Sequence, residues 1–467
     1  MSRERRVVVT GLGVVSSLGN RVEPFWRACL EGRTVVEPIP RAWTRYAPLK
    51  SSLWSPLGDW DRPTPLMTRV ERKQMDPSSQ MALLAAEEAL EAAGLETELA
   101  DRKRNRHRIA ACDGERAGVF IGTGVGGIHT LLASASFTFL SEAKKRLAEV
   151  AASLRGAAEA GDAADEAAAQ LEQVRSMLPT PPVFNTFSVS MTMPNAVSAQ
   201  LALKFGVKGP TPTFTCACAS GTTALGQALR AVREGTCDLA LAGGAEYLSD
   251  EYGSCFRGFD AVGALVRPAA PMPREAVNRP FDDDRTGFLF AEGGAAVLAL
   301  EDLERARARG APLLAEVRGY GETCDAYSAM VMDPEGRQIV RALELCLADA
   351  GVDAGDVDYL NAHGTGTPAN DPIECRAVRE LFGRRVRVNS TKSLLGHTLG
   401  ASGAIEAVVT VLSLRDGRTH PSKNVERPIA DLAFVTRPEP FPIRHAVSQS
   451  FAFGGQNAAV AFSQVGA

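Results

Sequence analysis

Short apolar, β-branched runs punctuate the chain and alternate with stretches of helical periodicity. In chain order they read RRVVVTG, AGVFIGTG, TPTFTCA, LALAGG, AAVLALE, LLAEVRGYG, VDYLNAHG, RVRVNST and AVSQSFAFGG. Near-continuous apolar strands alternating with helices predict an α/β fold with largely buried sheets. Several runs end in a Gly-rich turn, where open α/β sheets place their chemistry.

The layout of the first half recurs in the second. An opening strand (7–10, then 317–319) is followed by a strand-to-glycine segment, GVFIGTG and then VDYLNAHGTG. Next comes a strand running into a turn and helix: TFTCACASGTTALG at 213–226, then VNSTKSLLGHTLGASGAIEA. This predicts two similar α/β halves, 1–301 and 302–467, with the site at their junction. Residues 141–178 are Ala-rich and charged with a thin apolar stripe. They predict two surface helices broken near Gly161-Asp162, inside an insertion spanning roughly 130–180. The basic stretch DRKRNRHR at 101–108 reads as a solvated loop.

Composition narrows the function class. With 45% hydrophobic and 23% charged residues the chain is an ordinary globular protein. A formal charge of -4 argues against a nucleic-acid binder, and no run is long enough to span a bilayer. The N-terminus passes from charges straight into a strand, unlike a signal peptide. Nine scattered cysteines, most in apolar surroundings such as LELCLAD around Cys346, fit buried thiols in a reducing, cytoplasmic compartment. No CxxC or Cys/His set has zinc spacing, so no metal is expected.

Cys216 and Cys218 would share a face along an extended strand. Helical spacing of Ala224, Leu225, Ala228, Leu229 and Val232 starts the following helix at Ala219 or Ser220. Cys218 then falls at a helix N-terminus, where the dipole and free N–H groups favour a thiolate. The plain alternative, a buried core thiol, fits Cys216 better than Cys218. Of six histidines, His363 and His397 lie in strand-end turns; His107, His129, His420 and His445 read as surface or loop residues. Any one such histidine is usually structural, but two together with a turn cysteine make a less accidental set. GTGVGG at 122–127 matches a dinucleotide fingerprint, yet lacks the acidic residue about 20 positions on.

Taken in order, RRVVVTGLGVVSSLGN, RKQMD, FIGTGVGG, KGPTPTFTCACASG, LALAGGAE, RPFDDDRTGFLFAEGGAAVLALE, NAHGTGTPANDPIE, STKSLLGHTLGASGAIEA and SFAFGGQNA resemble the elongating Cys-His-His β-ketoacyl-ACP synthases of the thiolase-fold superfamily over nearly the full length. The resemblance implies a five-layered αβαβα sandwich of two βαβαβαββ halves. It implies Cys218 as the acyl-accepting nucleophile, His363 and His397 as the pair promoting malonyl decarboxylation, and a Lys392–Glu406 ion pair behind His397. Thr365 and Thr367 resemble the contacts to a phosphopantetheine arm. Phe453 resembles the gate of the acyl tunnel, with its N–H joining that of Cys218 in an oxyanion hole; Phe451 and Val125 resemble substrate-lining residues. No bound cofactor is implied, since substrates ride on the phosphopantetheine of acyl carrier protein (ACP). Dimerisation through the strand before the nucleophile is implied as well, as a homodimer or with a sister subunit.

Departures cluster around substrate access. The turn usually read as GFGGTN is AFGGQN, with Ala452 and Gln456. The loop GETCDAYSAMVMDPEG keeps Asp325 but has Ser328 where elongating enzymes often place histidine. With the insertion, these favour a specialised polyketide or polyene pathway over housekeeping fatty-acid synthesis. Arg69, Arg72 and Lys73 could meet an acidic carrier helix, against the alternative of an ordinary solvated face. A docking arginine is replaced by Gly263, with Arg267 nearby. An inactive chain-length-factor partner would lack the cysteine, a thiolase would carry a second cysteine in the late Gly-rich turn, and a Cys-His-Asn synthase would have asparagine at 397.

Overall fold

The structure is a computed structural model that describes residues 5–466 except 46, 157–160 and 269. Its first half builds a sheet from β1 (Val7–Val15), β2 (Ala117–Gly122), β3 (Thr213–Phe214), β4 (Leu239–Tyr247) and β5 (Gly293–Asp302). All nine residues of β1 are buried, as expected of a strand covered on both faces. The second half uses β6 (Ala315–Cys324), β7 (Tyr359–Asn361), β8 (Arg387–Asn389), β9 (Ala433–Phe434), β10 (His445–Phe451) and β11 (Gln456–Ser463).

The two sheets share one topology. In the first, β2 lies parallel to both β3 and β4, β4 is antiparallel to β5, and β5 to β1. In the second, β7 lies parallel to both β8 and β10, β10 is antiparallel to β11, and β11 to β6. Counting strands within each half with β9 left out, both run 3-2-4-5-1, and β9 is added outside β8. The halves join where Val7, Val8 and Val9 pair with Val317, Glu316 and Ala315, giving one continuous run of 11 strands.

Helices fill the layers. α1 (Pro77–Ala92) and α2 (Ala196–Phe205) cover the first sheet outside, while α4 (Arg337–Ala350) and α5 (Asn370–Phe382) cover the second. Between the sheets lie α3 (Ser220–Arg233) and α6 (Ser402–Asp416), each touching strands of both halves. The sequence patterns match these positions. α4 buries one stripe, Ile339, Ala342, Leu343, Cys346, Leu347 and Ala350, whereas α6 is buried from Ser402 through Leu414 and is apolar nearly all round. The result is the five-layered α/β sandwich with duplicated halves, and position 301 falls one residue before β5 ends.

Three local expectations change. Residues 101–108 are not a loop but most of a hairpin, Thr97–Asp101 against Arg106–Ile109. Asp101 Oδ1 accepts the Lys103 and Arg104 N–H groups, closing its turn, and Arg108 pairs across the strands with Glu98. The Ala-rich insertion does form two helices, the second starting at Asp162 as expected, but the first begins earlier and runs Ile128–Arg155; residues 157–160, just before the expected break, lie outside the described residues. The strand before the nucleophile ends at Phe214, because the chain turns at Ala217 with φ 45°. Cys216 and Cys218 therefore do not share a face of an extended strand. No helix among the described residues is long and apolar enough to cross a membrane.

Gly226, on the face of α3 that meets β6, shows how closely the layers approach. A Cβ there would lie 2.1 Å from the Tyr320 ring, which is also covered by the Arg230 guanidinium at 4.8 Å. Gly226→Ala is expected to destabilise the protein by about 1–3 kcal/mol through overpacking, read as a lower urea midpoint with an unchanged slope.

Candidate active site

Cys218 sits in a 3-10 turn (Ala217–Ala219) between β3 and α3. The turn is held by Ser220, the first residue of α3, whose hydroxyl accepts the Cys216 N–H at 2.8 Å and donates to Ala217 O at 2.7 Å. The second half repeats the device. A 3-10 turn (Leu399–Ala401) precedes α6, Leu399 has φ 48°, and Ser402 accepts the Thr398 N–H at 3.2 Å. Left-handed φ at a residue other than glycine is strained and persists only where its surroundings hold it. Here the holding groups include the buried Glu246 carboxylate, which accepts the Gly124 N–H at 2.5 Å and the Gly400 N–H at 3.1 Å, tying the two halves together.

These turns bring three chemical groups together. His397 Nε2 lies 3.1 Å from Cys218 Sγ. The His363 and His397 rings are 5.5 Å apart and nearly perpendicular. His363 follows β7, and its backbone N–H is fixed by Glu374 of α5 at 2.7 Å. All three residues are buried at the floor of a cavity of about 510 Å³, which Thr365, Thr367, Phe451 and Phe453 also line. Apolar side chains including Phe259, Phe288, Met330 and Met332 make up much of the remaining wall.

The ion pair lies elsewhere than expected. Lys392 pairs with Glu406, both fully buried, but its Nζ reaches His363 Nδ1 at 3.3 Å, so the pair stands behind His363 and not behind His397. Behind His397, the Nδ1 atom meets the Ser402 hydroxyl at 2.9 Å. An ammonium can only donate, so His363 Nδ1 is an acceptor and its Nε2 carries the proton. Burial, reinforced by the Lys392 charge, holds both imidazoles well below their usual range, so both are neutral. The thiol also departs from expectation: burial outweighs the helix N-terminus and pushes Cys218 up to about 12.

The turn around Phe453 is hydrogen-bonded to the neighbouring loop. Asp325 donates its N–H to Gly455 O at 2.8 Å and accepts from Asn457 Nδ2 at 2.7 Å, while the Gly454 N–H reaches Ala329 O at 2.9 Å. Phe453 is 38% exposed at the cavity, stacked at 6.3 Å on Phe259. Ser328 closes its own loop by accepting the Met330 and Val331 N–H groups, and so presents Met330 to the cavity.

Other expected residues fall outside. Val125 is exposed, with its N–H on Glu246, and does not line this cavity. Arg69, Arg72 and Lys73 do not line it either. Arg69 and Lys73 are exposed, but Arg72 is engaged with Asp61 and the Arg62 carbonyl. Arg267 is held by Asp260 and Ser51. Sequence reading missed Glu374, Ser402 and Asn278, whose amide donates to Lys392 O at 2.6 Å. All three act on another residue's backbone or ring, a role no spacing rule marks.

Two outcomes follow from the electrostatics. Alkylation of Cys218 by iodoacetamide, followed by peptide mass mapping, should still be accelerating above pH 9; a plateau below pH 8 would contradict a neutral thiol. Lys392→Met leaves Glu406 buried without its cation and should cost about 3–5 kcal/mol at pH 8. Burial already raises the Glu406 carboxyl. A carboxyl whose folded pKa exceeds its unfolded value loses stability as pH rises through that interval. The penalty measured by denaturation should therefore be smaller at pH 6 than at pH 8.

Comparisons with known proteins agree with this architecture. Residues 4–306 match the family "Beta-ketoacyl synthase, N-terminal domain" and residues 314–426 its "C-terminal domain". The chain is 34% identical to 3-oxoacyl-[acyl-carrier-protein] synthase 2 of Coxiella burnetii, covering 99% of each chain. It is equally 34% identical to the protein of that name from Synechocystis, over 99% of this chain and 98% of the relative. Among solved structures, a β-ketoacyl synthase from Burkholderia phymatum superposes with a TM-score of 0.77 at 30% identity, over 98% of this chain and 99% of that one. A type II polyketide ketosynthase solved with its acyl-carrier protein and bound to the hexaketide also gives 0.77, at 28% identity, covering 99% and 100%. The ishigamide ketosynthase/chain length factor gives 0.77 at 30% identity, again over 99% and 100%.

Proposed function

The chain belongs to the β-ketoacyl synthase family, and from that premise we propose that Cys218, His363 and His397 carry its reaction. The protein is a β-ketoacyl-ACP synthase: it condenses an acyl chain with malonyl-ACP to give a β-ketoacyl-ACP two carbons longer. The observation that carries the residue assignment is the thiol 3.1 Å from one imidazole, with a second imidazole beside it on the same cavity floor.

In the first half-reaction the Cys218 sulfur attacks the thioester carbonyl of an acyl-ACP, and the pantetheine sulfur leaves with the proton. The N–H groups of Cys218 and Phe453 receive the oxyanion formed in passing. In the second, the malonyl carboxylate leaves as CO2 and its electron pair moves onto the thioester, giving an enolate. Neutral imidazole N–H groups suit that oxygen because they donate without carrying negative charge. The enolate carbon then attacks the acyl-Cys218 carbonyl and expels the thiolate, which takes up a proton. The Lys392 contact fixes His363 for this work by holding its Nδ1.

The substrates arrive on the phosphopantetheine of ACP. Thr365 and Thr367, whose hydroxyls lie 3.0 Å apart on the cavity wall, receive that arm, and Phe453 gates the path to the acyl tunnel. Phe451, packed on His363 at 5.4 Å, lines the site. Arg69 and Lys73 are the exposed cations offered to the carrier. β3 forms the outer edge of the sheet, a natural seam for a dimer, homomeric or with a sister subunit. Ala452, Gln456 and Ser328 near the substrate entrance, with the Ala-rich insertion, support a specialised polyketide or polyene chain over housekeeping synthesis, and the nine unpaired cysteines fit a cytoplasmic location.

The test is intact-mass spectrometry after incubation with short, long, polyunsaturated and aryl acyl-ACPs. The expected result is an acyl-sized gain that Cys218→Ala abolishes, together with a fall in condensation on the order of 10³-fold or more. A gain that survives in Cys218→Ala would remove Cys218 from its role.

A further inference from the structure

The two histidines are supported differently. His363 Nδ1 faces the Lys392 ammonium, which can only donate, so its tautomer is fixed. His397 Nδ1 faces the buried Ser402 hydroxyl at 2.9 Å, and a hydroxyl can donate or accept. Ser402 has two further partners: the Thr398 N–H at 3.2 Å and the Thr398 hydroxyl at 3.0 Å. The backbone contact is purely architectural, because Ser220 makes the same one to the Cys216 N–H in the other half. The contact to His397 has no counterpart in that role. Only His397 reaches the Cys218 sulfur.

We propose that Ser402 is a positioning residue that supports His397 Nδ1 as either donor or acceptor, so that one imidazole serves both half-reactions. This rests on the reaction assigned above. During acylation, Nδ1–H donates to Ser402 Oγ while the Ser402 proton points to Thr398 Oγ1. Nε2 then presents a lone pair and takes the Cys218 proton as the sulfur attacks. The pantetheine sulfur leaves with the bonding pair and takes that proton from Nε2. During condensation Nε2–H must point at the enolate oxygen. Ser402 then turns its O–H onto the bare Nδ1 and accepts from the Thr398 hydroxyl and N–H. Between carriers the ring changes tautomer with no net proton taken up: water entering the emptied cavity protonates Nε2, and the imidazolium gives its Nδ1 proton to that water as the ring swings off Ser402. His363, locked as an Nε2–H donor, does not switch.

Rapid-quench intact-mass measurements on the full-length protein separate the two steps: acylation by acyl-ACP, and single-turnover condensation of preloaded enzyme with malonyl-ACP. Ser402→Ala should slow acylation roughly five- to tenfold at saturating carrier, the loss of one hydrogen bond, with KM for acyl-ACP unchanged. Ser402→Thr, which keeps the hydroxyl, should recover most of that rate. Wild-type rates in Ser402→Ala, or equal losses in both variants, would overturn the proposal and leave a packing role. If Ser402→Ala does not fold, Thr398→Val decides: it removes the hydroxyl partner and keeps the N–H, and slower acylation at an unchanged melting temperature supports the relay, while an unchanged rate overturns it. Failure of the wild-type protein itself to acylate at Cys218 would instead defeat the assignment of the nucleophile.

Discussion

The site depends on how closely two turns approach each other across the centre of the sandwich. Turn 217–219 and turn 399–401 belong to different halves, yet a Cβ on Gly221 would lie 2.7 Å from Ala404 N, and one on Gly400 would lie 2.2 Å from Gly124 N. Only backbone fits in that space. Bringing backbone together leaves N–H groups buried without a sheet or helix partner, and the Glu246 carboxylate accepts those of Gly124 and Gly400. The same approach sets the thiol against His397. The distance between thiol and imidazole is thus a packing distance, and it persists because the interior cannot deform by small steps.

Burial then decides the protonation states. A water-excluded floor keeps both imidazoles neutral and the thiol protonated. Lys392 is paired there with Glu406, and its remaining hydrogen-bonding capacity is turned on His363. A buried pair of this kind is weak evidence for stability. Its value lies in fixing a ring orientation and a tautomer. The hydroxyl behind His397 can donate or accept, so it does not fix that ring's tautomer.

Access is governed by a different kind of contact. The turn around Phe453 and the loop at 325–335 share backbone and side-chain hydrogen bonds, centred on Asp325. Moving one without the other would break several bonds at once. The methionines presented by the second loop form part of the cavity wall, so the same bonds that hold this loop to the turn also place part of that wall.

The sequence by itself determined the α/β class, the duplicated layout, and the turns carrying Cys218, His363 and His397. Those features are written in local patterns: apolar runs, helical spacing, and glycine where strands end. Burial on both faces of β1 was legible for the same reason. What the tertiary structure alone decided lies between elements distant in the chain. Which histidine the Lys392–Glu406 pair supports, the hydroxyl of Ser402 behind His397, and Glu374 under His363 depend on side-chain directions that spacing does not encode. The thiol's protonation was misjudged because helix position is local and burial is not. The basic stretch at 101–108 became a hairpin because Glu98 and Asp101 neutralise and cap it, a cross-strand complementarity visible only once the strands are paired.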